Sequence, residues 1–66
     1  MKIFFNPQKI MQILRDRGIS VKEFAEGARI SPRTVKAACL GKAVQFKSAS
    51  RLAAALNVPI DELQIA

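Results

Sequence analysis

From Gly27 to Ile60 the chain carries Arg29, Arg33, Lys36, Lys42, Lys47 and Arg51 and no acid at all; Asp16, Glu23, Glu26, Asp61 and Glu62 all lie outside that stretch. Side chains of this type pair with anionic oxygen, and a run of them along a surface displaces the counterions around a polyphosphate. The formal net charge of +6 and a pI near 10.3 agree with this, being the balance expected of a protein that binds nucleic acid or another anionic surface. A basic stretch can also be no more than a solvated face. Here the cations coincide with helix-start signals, which favours binding.

Other chemistry is poorly provided for. Histidine is absent and Cys39 is the only cysteine, so neither a disulfide nor a Cys/His zinc site can form within one chain. With few carboxylates, no glycine-rich phosphate loop and no serine beside a base, the chain is not expected to be an enzyme; no catalytic residue, metal or cofactor is assigned. Cys39 reads as a small buried hydrophobe rather than a redox sensor, since no base or partner thiol accompanies it. The 66 residues make one small domain, 1–66, held by packing alone. Charges interrupt the apolar residues throughout, so no run nears the roughly 20 apolar residues of a membrane span. The opening MKIFFNPQ lacks the apolar centre of a secretory signal, and a soluble, cytoplasmic protein is expected.

These cations need elements to position them. MKIFF, residues 1–5, has β-branched and aromatic character without a helical period and reads as a short strand or ordered arm. Asn6-Pro7 supplies an N-cap and first-turn proline, opening a helix over 7–17 that Gly18 stops. Ile10, Met11, Ile13 and Leu14 form its apolar stripe. Ser20 with Glu23 is a capping box for a second helix over 21–28, whose buried side is Val21, Phe24, Ala25 and Ala28. Ser31-Pro32 repeats the cap-plus-proline signal three residues later, so the third helix, 32–40, meets the second at a sharp angle. Within it Val35, Ala38 and Cys39 share one side, while Arg33, Lys36, Ala37 and Leu40 turn away. Residues 42–46 read as a loop, followed by a fourth helix over 47–56 with Leu52, Ala53 and Leu56 inward and a short fifth over 59–63. Phe4, Phe5 and Phe46 are expected to pack, although an exposed Phe pair in the arm would mark a partner surface.

The stretch ISVKEFAEGARISPRTVKAACLGK, a loop, and then RLAAALNVPIDEL resembles the phage-repressor-like helix-turn-helix domains of the XRE or Cro-like family. The resemblance covers residues 7–63 and rests on ordered spacing: Ala25, Ile30 just after the turn, Val35, Gly41, then Ala-Leu-Asn-Val before a final Asp-Glu-Leu. It implies an all-α, five-helix lambda-repressor-like domain that acts as a sequence-specific regulator of transcription, a repressor, binding double-stranded DNA as a homodimer on a two-fold site. It further implies that the third helix lies in the major groove, with Pro32, Arg33, Lys36 and Ala37 facing the bases. The N-terminus of the second helix and the segment after the third would hold the phosphate backbone, through Lys22, Lys42, Gln45 and Lys47, with Ser31 and Arg29 in the turn as further candidates.

Three departures from the family pattern bear on that expectation. Val21 stands where the family often has a phosphate-gripping glutamine, and Pro32 and Ala37 stand where it often has polar residues. Base readout therefore rests on two cations: Arg33, able to donate twice to guanine O6 and N7, and Lys36; Ala37 offers at most contact with a thymine methyl. Arg29 replaces the glycine the family favours at a turn position with φ > 0, where a side chain costs about 1 kcal/mol. It either reaches phosphate or is a tolerated, solvated substitution. Ser31 is a cap that could also touch phosphate, and Lys42, Gln45 and Lys47 are either ordinary loop residues or phosphate contacts. The rival expectation is an antitoxin-like module that masks a toxin or other partner protein, with DNA binding secondary or absent. The apolar arm favours it and the acid-free basic segment opposes it.

Overall fold

A computed structural model of the chain describes residues 1–65. Within them five helices and a two-stranded sheet follow in the order β1 (Lys2–Phe4), α1 (Pro7–Arg17), α2 (Val21–Ala28), α3 (Pro32–Cys39), β2 (Ala43–Gln45), α4 (Phe46–Leu56) and α5 (Ile60–Leu63). Local chemistry starts three of the helices. Asn6 Oδ1 accepts from the Gln8 N–H at 3.0 Å ahead of Pro7. Ser20 Oγ accepts from the Glu23 N–H at 3.1 Å while Glu23 Oε1 accepts from the Ser20 N–H at 2.9 Å, completing the capping box. Ser31 Oγ accepts from the Arg33 N–H at 3.2 Å, with Pro32 in the first turn.

The core collects one face of every element: Ile3 and Phe5 from the N-terminal segment, Ile10 and Leu14, Phe24 and Ala25, Val35 and Ala38, Val44, Ala49, Leu52, Ala53 and Leu56, and Leu63. The helix ends are also tied. The Arg17 guanidinium donates to the Ala55 and Leu56 carbonyls at 3.2 and 2.7 Å, satisfying the free end of α4. Lys9 Nζ donates to the Glu62 carbonyl at 2.8 Å. Gly41, at φ 75°, turns the chain out of α3 beside the start of α1, where a Cβ would lie 3.1 Å from Pro7 Cγ.

The structure corrects several expectations. Residues 42–46 are not all loop: β2 pairs antiparallel with β1, Lys2 opposite Gln45, Ile3 opposite Val44 and Phe4 opposite Ala43. This pairing makes the 1–5 arm a strand that buries Ile3 and Phe5. Beyond it Phe5 bridges Gln64, and the Ile65 N–H donates to the Phe4 carbonyl at 3.0 Å. The fourth helix begins at Phe46 rather than residue 47, the third ends at Cys39 with Leu40 as its cap, and Pro59 precedes the fifth rather than belonging to it. Phe4 and Phe46 are about half exposed, at 50% and 47%, and so are not core. Met11 faces solvent instead of completing the stripe of α1, and Cys39 is only half-buried.

Candidate nucleic-acid interface

The turn between α2 and α3 spans Arg29 to Ser31. Arg29 closes α2 at φ 58° and ψ 42°, with its N–H directed at the Ala25 and Glu26 carbonyls. The Ile30 N–H then donates to the Ala25 carbonyl at 3.0 Å, and the Ile30 side chain drops into the core. Ala25 is fully buried, and its single methyl lets α3 approach α2. Val35 and Ala38, also fully buried, fix the rotation of α3 about its axis. The remaining face of α3 is therefore set by packing: Pro32, Arg33, Lys36 and Leu40 are exposed and Ala37 is half-buried.

Two shallow grooves run along that face. Arg33, Lys36, Ala37, Leu40 and Lys42 line one. The other is bounded by Arg33 and Ala37 on α3, Ala43 and Gln45 on β2, Ser48 on α4 and Lys2 on β1. Arg33 and Ala37 belong to both, so the two form a continuous surface holding Lys2, Arg33, Lys36 and Lys42, with no carboxylate lining either groove. The acids are engaged elsewhere or lie away from these grooves. The Ser20 backbone N–H and then its hydroxyl hold the Glu23 carboxyl below its ordinary pKa. Burial pushes the Cys39 thiol up, which keeps it protonated and poorly nucleophilic.

The helix-turn-helix family model matches residues 10–63. The chain belongs to the XRE-type helix-turn-helix family. No curated protein and no solved structure gives a match. This is a family of DNA-binding regulators, not typically enzymatic, and this XRE-type chain is a DNA-binding regulator. No described helix is long and apolar enough to cross a membrane.

In this XRE-type domain the residues picked out from sequence divide into two groups. Arg33, Lys36, Ala37, Lys42 and Gln45 come together on the two grooves, with Pro32 exposed at the start of the same helix. Lys22, in the first turn of α2, Arg29, in the turn, and Lys47, in the first turn of α4, are exposed but line neither groove. Ser31 is exposed, and its hydroxyl already serves as the α3 cap. The residues expected from sequence do not include Lys2 and Leu40. The strand turns Lys2 and Phe4 outward while Ile3 and Phe5 turn inward, but three apolar residues in succession in KIFF give no sign of which pair faces out. Leu40 stands on the outward side of the helix, but its apolar side chain gives no sign of a DNA contact.

Proposed function

We propose that this protein is a sequence-specific transcriptional repressor that inserts α3 into the DNA major groove and works by occluding a promoter. The observation that carries this is the acid-free groove lined by Arg33, Lys36, Ala37, Leu40 and Lys42 on the side of α3 opposite its buried residues. Arg33 and Lys36 read base edges, Arg33 by two donors to a guanine, with Pro32 and Ala37 as apolar neighbours. Lys42 and Gln45, with Lys22, Arg29, Ser31 and Lys47 around them, hold phosphates on either side. The protein acts in the cytoplasm as a homodimer, since a single small head buries too little surface for high operator affinity. Half-sites one turn apart lie about 34 Å from centre to centre, a spacing at which two molecules of longest extent 28 Å fit without overlap.

Paired substitutions test reading against gripping. Arg33→Ala should cost about 1–3 kcal/mol on a site selected from random duplex and much less on unselected duplex, because the guanine contact exists only where the guanine does. Lys42→Ala should weaken both DNAs about equally and reduce the slope of log affinity against log salt by roughly one unit. Equal losses on both DNAs for Arg33→Ala would reduce α3 to a plain basic surface. A second reading, an antitoxin-like module with a toxin as partner, is favoured by the half-exposed Phe4 and Phe46. Under it, duplex binding would be weak and the same Arg33 and Lys42 variants would change little.

A further inference from the structure

The N-terminal strand lies beside the recognition face, where a helix-by-helix view of the chain would not place it. Its register puts Lys2 directly opposite Gln45, and the pleat sends Ile3 and Val44 into the core while Lys2 and Gln45 point out. Those two outward side chains border the same groove as Arg33 and Ala37. The strand is also fixed in place along its length. The Phe46 N–H donates to the Met1 carbonyl at 3.0 Å, the Ile65 N–H to the Phe4 carbonyl at 3.0 Å, and the Asn6 N–H to the Leu63 carbonyl at 2.7 Å. Lys2 is exposed on this scaffold, whereas Lys9 and Arg17 are occupied with backbone carbonyls.

We propose that the outer face of the β1–β2 pair is part of the DNA interface and that Lys2 holds a backbone phosphate of the duplex read by α3. This rests on the reading of α3 given above. A lysine ammonium is a compact point charge on a flexible stem, suited to phosphate rather than to the two-pronged recognition of a base. Its position on the sheet, to one side of the inserted helix, suits the sugar-phosphate wall of the groove. Because the strand is already ordered, binding immobilises one side chain and not a segment of backbone.

Salt titrations on selected and random duplexes test this with two substitutions of opposite sign. Lys2→Gln should weaken both DNAs by a similar factor and reduce the salt slope by about one unit. Gln45→Lys, which adds a cation across the ladder from Lys2, should steepen the slope by about one unit; misfolding would not produce that gain. Lys2→Arg should retain the wild-type slope. If Lys2→Gln and Gln45→Lys both leave the slope unchanged while Arg33→Ala still abolishes site preference, the sheet faces away from DNA and the proposal falls while the α3 reading stands. If Lys2→Gln alters base preference instead, Lys2 reads a base and the phosphate assignment is overturned. If Arg33→Ala has no selective effect either, the α3 reading fails and this proposal with it.

Discussion

Arg29 holds a left-handed backbone conformation, φ 58° and ψ 42°, in which the Cβ crowds the neighbouring carbonyl at a cost of about 1–2 kcal/mol. Glycine would relieve the crowding but would also make the unfolded chain freer, which offsets part of the gain. Arg29→Gly should therefore stabilise the fold by up to about 1 kcal/mol, raising the melting temperature by several degrees in a domain of this size. A thermal melt checks it, and a lower melting temperature would mean that the side chain makes interactions outweighing the strain. The same variant separates the two roles open to Arg29, because removing a phosphate-binding cation from the turn would also lower the salt slope by about one unit. The strained position was legible in the sequence through the family resemblance, which puts Arg29 at a turn position where glycine is favoured. Lys2 was not legible as a site residue, because the outward face of a strand has no location until its partner is known, and the partner lies in a segment too short to show alternation.

The starts of α1, α2 and α3 could be read directly because caps are made between residues two or three apart. The sheet could not, since β1 and β2 are joined only by hydrogen bonds between distant parts of the chain. The α2 cap carries a pH dependence. The Glu23 carboxyl has its folded pKa lowered by Ser20, so it contributes stability above the ordinary glutamate pKa and loses it as pH falls through the lower, folded value. Glu23→Gln keeps an acceptor for the Ser20 N–H without titrating. Melting temperatures measured from neutral to acidic pH should fall less steeply for Glu23→Gln than for wild type; parallel curves would remove the carboxylate from the cap. In the N-terminal segment two adjacent aromatics should behave in opposite ways. Phe5 is fully buried, and Phe5→Ala should cost about 3–5 kcal/mol, a large part of the roughly 3–10 kcal/mol available to a chain of this length. Phe4 is half exposed, and Phe4→Ala should shift the denaturant midpoint much less. Comparable losses would show that the outward face of the strand also packs.

At the scale of the molecule, the acids are kept to α1, α2 and α5, while Arg33, Lys36 and Lys42 from the acid-free middle of the sequence share a grooved face with Lys2. The chain also closes on itself: β1 pairs with β2 on one edge and is bonded to Gln64 and Ile65 on the other. That closure has a kinetic consequence. Packing between α2 and α3 joins neighbours in sequence, whereas the strand pairings require closing loops of most of the chain, whose entropic cost must be met before their energy is gained. The helix-turn-helix core should therefore assemble first and β1 dock after the rate-limiting barrier. In stopped-flow measurements, Ile3→Val should mainly accelerate unfolding and leave the refolding rate nearly unchanged, whereas Val35→Ala should mainly slow refolding. Slowed refolding in Ile3→Val would instead place the strand within the folding nucleus.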